Sequence, residues 1–243
     1  MEFKIEKTYV GDVPLRIMHP FSGTKKCIVF YHGWSSEAEK QLSRAVLLCA
    51  AGYHVALPEA IHHGERGALS DYESPDIYET FWETIFQNME ESGLILSYLK
   101  EKGYDAPWIM GHSMGGFTTM GVAYRHAKEI AGAVSLNGSG DWTLTHLFMQ
   151  AAYGIDLGRD WAFYEEIAVR NPVSFLENYR DLPLCMINGE ADTTVDPRAQ
   201  WHFAEELQKL TGNGTRITYP GLAHFVTTNM LDDAIAFITA HGA

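Results

Sequence analysis

"WIMGHSMGGFTT", Trp108–Thr119, begins as a strand and ends as a helix. At the switch stands Ser113, with Gly111 and Gly115 two residues to either side. A sharp strand-to-helix turn forces its central residue into an unfavourable backbone conformation and brings the residues two positions away into collision. Glycine at both relieves that crowding. Gly116 adds room for close packing of helix on strand. The serine hydroxyl then stands clear of the carboxyl edge of a sheet, where open α/β sheets bind ligands. The amide of Met114, at the start of the helix, points to where an oxyanion would form.

Outward from this turn, apolar runs alternate with helical patterns. Phe3–Val10 and Pro14–Met18 read as two strands joined at Gly11-Asp12. "CIVFYHGW", "YHVALPE", "APWIMGHS", "AGAVSLNGSGDW", "LPLCMINGEAD" and "TRITYPG" supply six more strands or strand-loop units. The apolar run in "CIVFYHGW" is that of a strand buried on both faces, as in a parallel sheet. Helices are expected over Glu37–Ala51, Asp76–Lys102, from the serine turn to about Ala127, over Pro197–Leu210 and over Asp232–His241. The order predicts an α/β fold, a doubly wound sheet that is parallel apart from an antiparallel start. One interval breaks the alternation: residues 142–180 are aromatic and helix-like without a strand, too long for an ordinary connection. They are expected to form a small helical cap inserted into a single domain spanning 1–243.

A serine alkoxide is too basic to form unaided at neutral pH; the hydroxyl needs a histidine to take its proton and a carboxylate to orient that histidine. Asp192 follows the strand at Leu184–Asn188, and His224 follows the strand at Thr215–Tyr219. Ser113, Asp192 and His224 therefore all lie just beyond carboxyl ends of strands, in the chain order of a nucleophile-elbow hydrolase.

With these residues in place the sequence resembles the α/β-hydrolase superfamily over essentially its whole length, through "YHGW", "GHSMGG", "GEADTTVDP" and "GLAHF". The extra N-terminal strands and "LPEAIHHGERG" are similar to small bacterial esterases near the prolyl-oligopeptidase and dienelactone-hydrolase branches. The resemblance implies Ser113 as nucleophile, His224 as general base and acid, Asp192 as orienting acid, and the backbone amide of Trp34 as the second oxyanion donor beside Met114. It implies hydrolysis of carboxylic esters with short to medium acyl chains, with no metal or organic cofactor. Thioesters or small peptides could be cleaved by the same groups, and a non-catalytic ligand-binding protein on this fold is the alternative from another class.

Rivals exist for two roles. Asp141 follows the strand at Ala133–Asn137, where some hydrolases carry the acid; it could equally cap the first helix of the insertion. Asp196 precedes Pro197 and reads as a helix cap. Among 11 histidines, His32 and His112 adjoin the oxyanion loop and the nucleophile. His62 and His63, near Glu65, suggest a metal site at first sight, but adjacent histidines on an extended segment point opposite ways. His202 and His241 read as surface helix residues. Trp34, His112, Trp142, Phe148 and Phe225 are expected to line the substrate pocket, with Met149, Tyr153, Trp161 and Phe163 as further candidates from the insertion.

The bulk composition narrows the partners. Lysine plus arginine is 18 against 31 aspartate plus glutamate, a formal charge of −13, which repels nucleic-acid backbones. Cys27, Cys49 and Cys185 each lie in apolar runs, an odd and widely spaced set that fits a reducing compartment better than a disulfide framework. "MEFKIEKTYV" lacks the apolar run of a signal peptide, and no stretch has the length of a membrane-spanning helix. A cytoplasmic protein acting on a small molecule is the expectation; the subunit number is open.

Overall fold

A computed structural model describes residues 3–21, 23–154 and 161–242. Eight strands form one sheet: β1 (Lys4–Val10), β2 (Val13–His19), β3 (Cys27–Tyr31), β4 (His54–Pro58), β5 (Trp108–His112), β6 (Gly132–Leu136), β7 (Leu184–Gly189) and β8 (Thr215–Tyr219). Their spatial order is β1-β2-β4-β3-β5-β6-β7-β8. β1 pairs antiparallel with β2 through Val10↔Val13, and β2 antiparallel with β4. Every later pairing is parallel. This is the doubly wound sheet with an antiparallel start that the apolar runs predict.

Alternation along the strands feeds two cores. Val29 and Tyr31 of β3, Ile109 of β5 and Leu184 and Met186 of β7 face one side, with Trp82, Phe117 and Phe203. Ile28 and Phe30, Trp108 and Met110, and Cys185 and Ile187 face the other, with Leu48 and Ile238. The first layer is built by α2 (Tyr78–Glu101), α3 (Met114–Arg125) and α6 (Pro197–Thr211), the second by α1 (Leu42–Ala50) and α7 (Thr228–His241). Because both faces are covered, the central strands read as unbroken apolar runs. α7 begins four residues before the expected Asp232, because Thr227 caps it by accepting the Met230 N–H at 3.3 Å.

Between β6 and β7 the chain forms α4 (Trp142–Tyr153), α5 (Trp161–Val169) and a 3-10 stretch, Pro172–Tyr179. Among the described residues no helix is long and apolar enough to cross a membrane.

Candidate active site

Ser113 sits between β5 and α3 at φ 57°, ψ −121°, a region that L-residues rarely adopt and that costs about 1–3 kcal/mol. The flanking glycines have separate reasons. A Cβ on Gly111 would lie 2.2 Å from the Gly115 carbonyl oxygen, the collision expected across the turn. A Cβ on Gly115 would instead strike the Tyr31 carbonyl oxygen at 2.0 Å, so this glycine lets α3 press against the end of β3. The same closeness brings Gly33 beside the turn, its Cβ position 3.4 Å from the Cβ of Ser113.

The loop after β7 supplies Asp192 and the loop after β8 supplies His224. His224 Nε2 lies 2.9 Å from Ser113 Oγ, and His224 Nδ1 lies 2.6 Å from Asp192 Oδ2. The other carboxylate oxygen, Asp192 Oδ1, accepts the backbone N–H groups of Thr194 at 2.9 Å and Val195 at 3.0 Å. A carboxylate can only accept, so His224 Nδ1 carries a proton and Nε2 is left to accept from the serine hydroxyl. Asp192 is buried, and Ser113 is 8% exposed.

The loop after β3 is held from behind. His32 Nδ1–H donates to the Gly33 carbonyl at 2.9 Å, while its Nε2 lies 3.1 Å from the buried Glu59 carboxylate and 3.2 Å from the Ala60 nitrogen. The Trp34 indole N–H donates to the Tyr72 carbonyl at 2.8 Å, and its ring meets Tyr72, Phe81 and His63 edge-on. A loop so tied keeps Gly33 beside the turn that carries Ser113.

The rival carboxylates are engaged elsewhere. Asp141 caps α4 by accepting the Leu144 N–H at 3.1 Å, and its second oxygen pairs with His202 Nδ1 at 2.8 Å. Asp196 caps α6 through the Arg198 N–H at 3.0 Å. Of the adjacent histidines, His63 is fully buried against His32 and Trp34, whereas His62 is partly exposed at φ 61°. Glu65 turns away to Tyr9 and Arg16. Among the described residues no three histidine, cysteine or acidic side chains are placed to hold a metal.

The prolyl oligopeptidase family matches residues 96–240, more than half of the chain, and the serine aminopeptidase family S33 matches residues 22–154. The chain belongs to the prolyl oligopeptidase family of α/β-hydrolases. This hydrolase is 26% identical to the esterase YjfP of Escherichia coli K12 over 253 residues, which take in 98% of this chain and 99% of that one. It is 36% identical to the putative esterase YitV of Bacillus subtilis 168 over 203 residues, 75% of this chain and 78% of that one. Among solved structures, TT1662 from Thermus thermophilus superposes with a TM-score of 0.78 at 18% identity, covering 99% of this chain and 98% of its own. That last likeness is one of fold.

The hydrolase places its expected pocket residues unevenly. Phe148 and Met149 of α4, with Ala151 and Ala152, face Asp192, Thr193 and Thr194 across a pocket of about 380 Å³. The Phe148 ring lies 4.4 Å from the Arg198 guanidinium carbon. Trp142 belongs to the core instead: it is fully buried, its ring against Trp82 and Phe86 and its N–H on the Ser139 carbonyl. Phe225 is 67% exposed, so its ring walls no enclosed space. Phe163 packs partly buried against the core. The side chains of Tyr153 and Trp161 lie outside the described residues.

Asn137 was not legible as part of the site. It ends β6 at φ 46°, fully buried; its Nδ2 donates to the Phe225 carbonyl at 2.9 Å and its Oδ1 accepts the Gly189 N–H at 2.9 Å. It thus ties the His224 loop to the strand that leads to Asp192. The sequence signal was slight: asparagine tolerates positive φ, and Asn137 precedes a glycine.

His112 packs on His224 with ring centroids 5.0 Å apart. Burial, and then the neighbouring His224, hold it neutral with its pKa down to about 3. Burial likewise holds His63 and His146 down to about 4. In the unfolded chain these rings titrate near 6.5. From about pH 6.5 downward the unfolded state therefore binds up to three more protons than the folded one, and stability falls as pH falls. The unfolding temperature should be level from pH 8 to 7 and drop progressively from pH 6.5 to 4; a level profile down to pH 5 would show that these rings charge inside the fold.

Proposed function

We propose that this α/β-hydrolase cleaves carboxylic esters through an acyl-enzyme on Ser113. The observation that carries the reading is the unbroken hydrogen-bonded line from Ser113 Oγ through both ring nitrogens of His224 to Asp192. His224 Nε2 takes the hydroxyl proton as Oγ attacks the ester carbonyl. The amides of Met114 and Trp34 stabilise the oxyanion, each such bond being worth about 3 kcal/mol in the transition state. His224 returns the proton to the leaving alcohol. A water molecule, deprotonated by the same nitrogen, then frees the acid. Asp192 keeps the imidazole in one tautomer and stabilises its charged form.

YjfP and YitV are named as esterase and putative esterase, which supports ester over other acyl substrates. Short to medium acyl chains stay part of the proposal on the resemblance alone; the pocket of about 380 Å³ lies beside Asp192, and neither Ser113 nor His224 lines it. We take α4 and α5 as a cap on a single domain, contributing Phe148 and Met149 to that pocket. Three free, buried cysteines support a reducing, cytoplasmic setting. Both family descriptions name peptidases, which favours amide cleavage as the second reading.

The test is treatment with a fluorophosphonate probe, then intact mass and peptide mapping. One adduct is expected, on Ser113, and it should be lost in His224→Ala. No adduct on folded protein would remove the acyl-enzyme reading. Turnover of a p-nitrophenyl ester well above the matching p-nitroanilide would separate esterase from peptidase.

A further inference from the structure

At the opposite end of the sheet from Ser113, two histidines face each other across an antiparallel pair. The register Met18↔Val55 continues to set His19, the last residue of β2, opposite His54, the first of β4. Side chains directly opposite in an antiparallel pair share one face, with Cβ atoms about 5 Å apart. The two Nδ1 atoms are 3.0 Å apart, and the rings stand nearly perpendicular.

With neutral rings, the protons at this pair leave one acceptor facing another. His54 Nε2 faces the Thr24 carbonyl at 3.1 Å, so it must carry a proton, and His54 Nδ1 is left with a lone pair. His19 Nε2 is buried without a hydrogen-bond partner and lies 3.6 Å from the Glu6 carboxylate. That neighbour calls for a proton on Nε2, which leaves a lone pair on His19 Nδ1 as well. Two neutral imidazoles close the contact in one way only: His19 Nδ1–H donates to His54 Nδ1, which leaves a buried lone pair on His19 Nε2 facing the Glu6 carboxylate, acceptor against acceptor. A cation between the two Nδ1 atoms removes that mismatch.

We propose that His19 and His54 chelate one divalent transition-metal ion of the imidazole-seeking kind, Zn²⁺ or Cu²⁺, through their Nδ1 atoms. Two nitrogens each about 2.0 Å from a metal, at roughly a right angle, are about 3 Å apart. The outer nitrogens then have the partners that metal-bound histidines need, a backbone carbonyl for His54 and a carboxylate for His19. Water fills the remaining coordination positions, since no third protein ligand converges here among the described residues. A third proton is the competing cation. Lys4 opposes a cation at this place, Glu6 offsets it, and the Tyr104 ring packs edge-on to His54. Bound there, the ion would staple β2 to β4 far from the triad.

The test uses the full chain stripped with EDTA. Histidine ring nitrogens are followed by NMR while Cu²⁺ is added below one equivalent, and Zn²⁺ affinity is measured by calorimetry. Expected is broadening of the His19 and His54 Nδ1 signals before those of the other nine rings. Zn²⁺ affinity should fall at least tenfold in His19→Gln or His54→Gln, with little further loss in the double variant, and Zn²⁺ should raise the unfolding temperature of the unsubstituted protein only. Circular dichroism reports whether the variants are folded, and the NMR readout needs no variant. The proposal is overturned if other histidines broaden first, if the double variant binds Zn²⁺ as the original chain does, or if the pair takes up a third proton between pH 7 and 5 and ignores the metal.

Discussion

Replacing Ser113 by alanine is expected to lower kcat/KM for an ester substrate by roughly 10⁵-fold, while the protein stays folded. The size follows from the role: removal of a nucleophile leaves only the oxyanion donors and binding to act, and they retain a small part of the acceleration. Folding should be little changed, because among the described residues the Ser113 hydroxyl hydrogen-bonds to His224 alone. A paired variant separates chemistry from strain. At φ 57° alanine suffers as serine does, whereas glycine does not. Ser113→Gly should be equally inactive yet more stable than Ser113→Ala by about 1 kcal/mol, read from chemical denaturation. Retained esterase turnover in either variant would take Ser113 out of the mechanism.

The second large effect is at the acid. Asp192→Asn is expected to cost roughly 10⁴-fold in kcat, while Asp141→Asn should cost less than tenfold. The reason lies in the hydrogen bonds already made. Asp192 Oδ1 accepts two backbone N–H groups, from Thr194 and Val195. An asparagine must keep its oxygen there and turn its NH₂ toward His224. His224 Nδ1 then becomes an acceptor, and the ring proton moves to Nε2, where it faces Ser113 and blocks proton abstraction. At Asp141 the amide keeps its capping oxygen on Leu144 and loses the charged contact to His202, which should appear as a modest loss of stability. The reverse ranking of the two rates would move the acid to the end of β6.

What was legible in the sequence were features encoded over short stretches. The central strands announced themselves because burial on both faces demands unbroken apolar runs, and the serine turn because its backbone demands glycine. Asp192 and His224 were legible because each stands just past a strand. The rest depends on contacts distant in the chain. Asn137 and Phe225 are 88 positions apart, and no periodicity links them. Trp142 was misplaced because an aromatic residue in an insertion has the same local pattern whether it faces a substrate or, as here, Trp82 and Phe86. Gly115 was rightly expected, but its neighbour Tyr31 lies on another strand.

The two ends of the helical insertion meet at one point. Asn171 donates to Asp141 Oδ1 at 3.1 Å and accepts the Trp142 N–H at 2.8 Å. The stretch between them leaves and rejoins the sheet through a single clasp, so its length and composition are uncoupled from the spacing of β6 and β7. Such an arrangement is a socket: with Trp142 and Ile167 keeping their places in the core, a lineage could exchange the rest of what lies between positions 142 and 170 while the machinery below is inherited untouched.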